Sequence, residues 1–215
     1  NMRAGKGAYQ IFKLLLMTGN SFWAWTVLRD QPFFPTSLGG TGDYALMWVD
    51  YPYQKHCDQL GSVQLILMSY HTGALLVHIF DTRKNDFLEM LLHHSVTMFL
   101  YGFSYMFNVW ETAVVIAYLH DVTDIPVCLT RLFVETDYKK STVIWFLTNA
   151  ACWFYVRLLV FPQLIYTMWV TPIDLGHWCV LPIYVFMLSC LVLLHAYWFY
   201  MFIYIFYIQV LKKGY

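Results

Sequence analysis

Charge is scarce in this chain. Only 12% of its 215 residues are Asp, Glu, Lys or Arg, the two signs cancel to a formal net charge of zero, and no basic run stands out. A nucleic-acid partner calls for a concentrated positive patch, so none is expected. Cysteine is equally uninformative: Cys57, Cys128, Cys152, Cys179 and Cys190 are scattered without CxxC spacing, which argues against a structural zinc site and a redox motif. The eight histidines, His56, His71, His78, His93, His94, His120, His177 and His195, lack the HxxxH and HxxHH clusters that membrane di-iron chemistry needs, and no metal is expected. No cleavable signal peptide is evident, because the first apolar run lacks a small-residue cleavage site. Nor is there a linker or a repeat, so residues 1–215 read as one domain.

What is abundant is apolar sequence. Hydrophobic residues make up 60% of the chain and aromatics 20%, with a mean hydropathy of +0.52. These values lie outside the range of soluble domains and indicate an integral membrane protein. About 20 apolar residues cross the hydrocarbon core as a helix, and six runs qualify: 10–28, 60–80, 87–107, 112–134, 142–169 and 178–210. The expected fold is therefore all-α, a polytopic membrane helix bundle with about six transmembrane helices. Pro162 is expected to kink the fifth span or end its regular part. Between the first two spans, residues 29–59 hold Pro32, Pro35, Gly39, Gly40, Gly42 and Pro52, the chemistry of turns.

Basic residues set the orientation. With six spans, Arg3, Lys6, Lys13, Arg83, Lys84, Lys139, Lys140, Lys212 and Lys213 share one side, whereas the opposite loops hold only Arg29 and Lys55. Both termini are thus expected on the cytoplasmic side, or the matrix side in a mitochondrion. Cys57 and Cys179 fall on the other side, where an oxidising compartment would allow them to pair.

Two polar insertions interrupt the apolar runs. The third span carries Asp86, Glu89, His93, His94 and Thr97, and the fourth carries His120, Asp121, Thr123 and Asp124. An ionisable group at mid-membrane costs roughly 2.5–3.5 kcal/mol, and such groups commonly face one another in a bundle interior and mark function. At 1.5 Å per residue, His93 lies about 9 Å, Asp124 about 15 Å and His120 about 21 Å from the cytoplasmic ends of their helices. Their overlapping depths predict a shared site open to the cytoplasmic half of the membrane. A carboxylate on one imidazole nitrogen leaves the other nitrogen as base or nucleophile, so proton transfer and covalent acyl capture are both available. Arg157 lies mid-span and needs a partner: an aspartate, a lipid headgroup or backbone carbonyls.

The stretch from Asp86 to Thr97, followed by Phe103-Ser104-Tyr105 and by Leu119-His120-Asp121-Val122-Thr123-Asp124, resembles the Lag1 motif of ceramide synthases, within the TLC-domain family. Further likenesses lie in residues 48–54, in Arg157 with Phe161-Pro162, and in Leu194-His195-Ala196-Tyr197-Trp198, so that nearly the whole chain is covered. The resemblance implies a membrane enzyme, usually of the endoplasmic reticulum, that N-acylates a sphingoid base with fatty acyl-CoA as co-substrate and no bound cofactor. It also implies roles. His93 would accept the acyl group or act as general base, His94 and His120 would complete a proton relay, and Asp121 and Asp124 would orient imidazole and amine. Thr97, Arg157, His195, Tyr197 and Trp198 would line the substrate site, and an apolar cavity would hold the acyl chain. Glu111 and Ala113 stand where the family usually has Arg and Gly, and Thr123 stands for Ser. The alternative is a silent TLC-fold subunit, a homodimer or part of a larger and conceivably mitochondrial membrane complex, that binds lipid without turnover.

Overall fold

The computed structural model describes residues 2–80, 83, 86–136, 138–170 and 180–208. Among these residues there is no strand, only an isolated bridge between Pro35 and Gly42. The helices are α1 (Met2–Leu28), α2 (Asp58–Phe80), α3 (Phe87–Met106), α4 (Trp110–Val134), α5 (Lys139–Trp153), α6 (Phe161–Val170) and α7 (Val180–Phe206). A π-helical segment, Phe154–Val160, joins α5 to α6 without a break. Six helical rods result, at the expected places. Four of them, α2, α4, the joined α5–α6 rod and α7, are long and apolar enough to cross a membrane. Rods α1 and α3 fall below that hydropathy because they carry Lys13, Asn20 and Ser21, and Glu89, His93 and His94, at membrane depth.

Rod α4 is the hub. Of its most apolar stretch 67% is buried inside the protein, against 17–28% for the other three spans, and it packs on α1, α2, α3 and α5. Outward faces elsewhere are greasy: Leu15, Phe22, Val77, Phe80, Phe186, Leu193 and Ile203 are exposed, as helices bathed in lipid require. The expected kink at Pro162 takes a specific form. Proline cannot donate to the Leu158 carbonyl, and the turns just before it widen to π geometry, which sets Arg157 on the inner face of the rod. Widened turns of this kind recur at functional sites.

The 29–59 connection folds as turns with two short 3₁₀ helices, Thr36–Leu38 and Tyr44–Trp48. Asp43 caps the second by accepting from the Ala45 N–H at 2.9 Å. Gly42 is required there, since a Cβ would collide with the Pro32 carbonyl beneath it. The expected pairing of Cys57 with Cys179 lies outside the described residues, because Cys179 does.

This connection is stapled to the α3–α4 turn. Asn108 adopts the left-handed conformation that asparagine tolerates (φ 58°). Its amide nitrogen donates to the carbonyls of Pro52 (2.8 Å) and Gln54 (3.3 Å). Its amide oxygen is therefore left to accept from His56 Nε2 at 2.8 Å, while His56 Nδ1 faces Glu111 Oε1 at 3.3 Å. Both ring nitrogens face acceptors, which only the imidazolium satisfies. Glu111, the departure from the family pattern, is the counter-ion of a structural clamp at this end of the bundle. Burial alone would lower His56, but its hydrogen bonds to Glu111 and Asn108 outweigh burial and raise it above its ordinary 6.5. A raised folded value means that the stabilisation is complete below 6.5 and is lost as pH climbs through the folded value. The melting temperature of the purified protein is expected to fall as pH rises above the ordinary histidine value of 6.5, and Glu111→Gln to flatten that slope. A wild-type profile as flat as the variant's would remove the clamp from the account.

Candidate active site

Asp124 holds the polar interior together. Its two carboxylate oxygens are shared between two cations: Lys13 Nζ donates to Oδ2 at 3.0 Å and Arg157 Nη2 donates to Oδ1 at 2.8 Å. The sequence reading counted Lys13 with the basic residues of the cytoplasmic side. It instead lies in the body of α1 and reaches across to α4. The rule that marks costly charges at membrane depth applies to Lys13 as well, and it was the signal available.

Arg157 is 3% exposed, and its guanidinium is spent on protein. Besides Asp124 it donates to Thr123 Oγ1 (2.7 Å), to the His120 carbonyl (3.1 Å) and to His195 Nε2 (3.2 Å). Its flat face lies 4.1 Å from the Trp153 ring centroid. Of the partners open to it, the aspartate and a backbone carbonyl are both used. The hydroxyl that Thr123 keeps in place of Ser has a clear use as an acceptor for Arg157.

Proton positions follow from these bonds. His120 Nδ1 donates to the Ile116 carbonyl at 2.7 Å, so its proton sits there and Nε2 carries a lone pair. A guanidinium only donates, so His195 Nε2 is also a lone pair, 3.3 Å from His120 Nε2. His195 Nε2 uses its lone pair to accept from Arg157, whereas the lone pair of His120 Nε2 has no donor and is free to take a proton. His195 is fully buried, and Trp153 fixes its backbone by donating its indole N–H to the His195 carbonyl at 3.1 Å.

His93 completes the group from α3. Its ring centroid lies 6.1 Å from His120, 6.3 Å from His195 and 5.4 Å from Trp198, and its Nδ1 has no hydrogen-bond partner. A basic, unpartnered nitrogen in an apolar setting is suited to nucleophilic attack or proton removal. From His93 and His120 a narrow cavity, with about 30 Å³ open, runs between the helices, lined by His71, Thr97, Leu100, Ile116, Ala117 and Leu191 among others. Thr97 therefore lies where expected.

Three expected site residues do not face the cavity. His94 turns toward α2, its ring 5.7 Å from His78. Asp121, 2% exposed, points about 100° around the helix from His120, one turn before Asp124, where it lies within electrostatic reach of Asp124, Lys13 and Arg157 and hydrogen-bonds to Asn20 of α1. Tyr197 is 45% exposed on the outside of α7. Lys13 and Trp153 join the site although the sequence assigns them no part in it, and His71 of α2 lines the cavity. Trp153 carried no signal, being one aromatic among many. Ser104 of the Phe-Ser-Tyr element is structural: Gln64 donates to its hydroxyl at 2.7 Å, joining α2 to α3 where both are fully buried.

Breaking a buried ion pair by removing one partner costs about 3–5 kcal/mol, because a charge is stranded. Arg157→Met is accordingly expected to lower thermal stability sharply. Adding Asp124→Asn to it should cost less than the sum of the two single changes, as a double-mutant cycle in detergent or lipid will show. Additive losses would mean that the contact does not couple the helices.

Residues 6–204 match the protein family described as TLC domain. Among individual proteins, the chain is 30% identical over 171 residues to ceramide synthase 4 of Bos taurus, covering 78% of this chain and 43% of that protein. It is 31% identical over 157 residues to ceramide synthase 4 of Mus musculus, covering 72% and 40%. With ceramide synthase LOH2 of Arabidopsis thaliana the identity is 26% over 207 residues, covering 89% and 65%. The chain thus spans less than half the length of the two mammalian relatives.

Proposed function

The chain belongs to the TLC-domain family, and on that footing we propose that it catalyses N-acylation of a sphingoid base by a fatty acyl-CoA. One observation carries this reading: His93, with an unpartnered ring nitrogen, stands at the head of an apolar cavity beside a His120 whose other nitrogen is already committed to a carbonyl. A nucleophile, a base and a slot for a hydrocarbon tail meet at one point.

The chemistry runs as follows. A His93 nitrogen attacks the thioester carbonyl carbon, the carbon–sulfur bond breaks, and coenzyme A leaves as a thiolate that takes up a proton. The amine of the sphingoid base then attacks the acyl-imidazole, the carbon–nitrogen bond to His93 breaks, and the surplus amine proton passes to His120 Nε2. Arg157 orients His195 and the His120 backbone, and it is itself held by Asp124. In the variant in which His93 is only a general base, the amine attacks the thioester directly and the proton passes through His93.

The site opens to the cytoplasmic half of the membrane in this reading, because the charged body of coenzyme A cannot enter lipid. Both termini lie on that side, the endoplasmic reticulum is the host membrane, and the clamp of His56, Asn108 and Glu111 caps the opposite end. That placement keeps Glu111 away from the chemistry. A non-catalytic lipid-binding subunit would have no need of a basic nitrogen, His120 Nε2, held without a donor in the core.

With acyl-CoA and sphinganine supplied to the purified protein, His93→Ala and His120→Ala should each lose about a hundredfold to ten-thousandfold of the N-acylation rate, and His94→Ala much less. Equal losses at His93 and His94 would contradict the geometry. Without the sphingoid base, intact mass should show one added acyl group that His93→Ala abolishes; turnover without that adduct assigns His93 as general base.

A further inference from the structure

Acyl transfer through an imidazole passes twice through a tetrahedral intermediate whose former carbonyl oxygen carries a negative charge. In an apolar setting that charge is costly unless a donor is already aimed at it. The strongest donors near His93 are committed to the protein. Arg157 donates to Asp124, Thr123, the His120 carbonyl and His195, Lys13 to Asp124, and the Trp153 indole to the His195 carbonyl. His120 Nε2 offers a lone pair rather than a proton. None of these groups is left for an oxyanion.

One hydroxyl on the cavity wall is uncommitted. Tyr101 of α3 lines the cavity with His93 and His120 and is 4% exposed, yet its hydroxyl has no hydrogen-bond partner among the described residues. Asp121 and Tyr184 lie within electrostatic reach of it without accepting from it. A buried polar group left unpaired is destabilising and calls for something that completes it. Side chains on a helix lean toward its N-terminus, so the Tyr101 ring leans back along α3 in the direction of His93. It lies 5.4 Å from the ring of His71, itself within electrostatic reach of His93. Tyr184 precedes His195 on α7, and the same tilt carries its hydroxyl away from the histidines. Tyr101 is also held in place: its carbonyl accepts from Ser104 Oγ at 2.8 Å and from Gln64 Nε2 of α2 at 3.4 Å. The open space beside it, about 30 Å³, is that of one water molecule or one carbonyl group.

We propose that Tyr101 is a further catalytic residue, whose hydroxyl donates a hydrogen bond to the acyl oxygen as it becomes an oxyanion. The proposal rests on the N-acyltransferase reading for the reaction, and on the unpaired hydroxyl for the residue. When a His93 nitrogen adds to the thioester carbonyl carbon, the electron pair of the carbon–oxygen double bond moves onto oxygen, and Tyr101 stabilises it without giving up its proton. The double bond re-forms as the carbon–sulfur bond breaks. The same hydrogen bond serves a second time when the amine adds to the acyl-imidazole and His93 leaves. An oxyanion accepts more strongly than a ground-state carbonyl, so the contribution falls on kcat rather than KM.

Tyr101→Phe keeps the ring and removes only the hydroxyl. With acyl-CoA and sphinganine supplied to the purified protein, its kcat should fall by about a hundredfold to a thousandfold, with KM changed by less than about threefold. Its melting temperature should hold or rise, because the lost hydroxyl makes no bond in the resting protein. A second readout changes the acceptor instead of the donor. The dithioester analogue of the acyl-CoA presents sulfur, a weak acceptor, in place of the acyl oxygen. The preference of the wild type for oxygen over sulfur should therefore shrink in Tyr101→Phe by about tenfold or more, as the cycle of donor and acceptor changes requires. Full kcat in Tyr101→Phe, or a loss accompanied by a lower melting temperature and an unchanged oxygen-to-sulfur preference, would overturn the role of Tyr101 and leave the acyltransferase reading standing. No amide from the wild type would overturn that reading and the role of Tyr101 with it.

Discussion

The ion triad of Lys13, Asp124 and Arg157 is the constraint on which the rest depends. One carboxylate at membrane depth would be costly alone, and so would either cation. Together they bring α1, α4 and the π-helical segment to a common point, at 3.0 and 2.8 Å. Arg157 extends the connection to α7 through His195. Four rods are thus tied to a single carboxylate, directly or through Arg157, and two of them carry His120 and His195, while His93 joins from α3. The widened turns before Pro162 belong to the same arrangement, because they carry the guanidinium on the inner face, where Thr123, Asp124 and the His120 carbonyl all receive it.

The two ends of the bundle divide the work. One end holds basic nitrogens with their protons positioned by a carbonyl and a guanidinium, and the apolar slot begins there. The other end is bound by a different polar set, His56 with Asn108 and Glu111, which ties the long 29–59 connection to the α3–α4 turn. Between them the interior is closely packed, with Gln64 and Ser104 as an internal polar bridge. This separation explains how Glu111 reverses a charge within the family motif without entering the reactive group.

Much of this was legible in the chain itself, and the failures are instructive. Long apolar runs give helices reliably, so the six rods lie where periodicity and length put them, and the turn-rich 29–59 segment is indeed turns. His93, His120, Asp124, Arg157, His195 and Trp198 do converge. What spacing along single helices could not decide was rotation between helices. Spacing puts His94 with its neighbour His93, whereas adjacent residues on a helix point about 100° apart. Lys13 reads as part of a basic flank although the cost of burying its charge marks it as interior. Trp153 has no signal at all, since an aromatic in a chain so rich in aromatics says nothing until its neighbours are known.

Function is decided most directly by stoichiometry. Purified protein in lipid, given a fatty acyl-CoA and sphinganine, should release one free coenzyme A for each N-acylsphinganine formed, as counted by thiol titration and mass spectrometry on the same samples. Coenzyme A release without amide, or neither product over a time course in which a known ceramide synthase completes the reaction, would contradict the assignment of His93 and His120 as an acyl-transfer site.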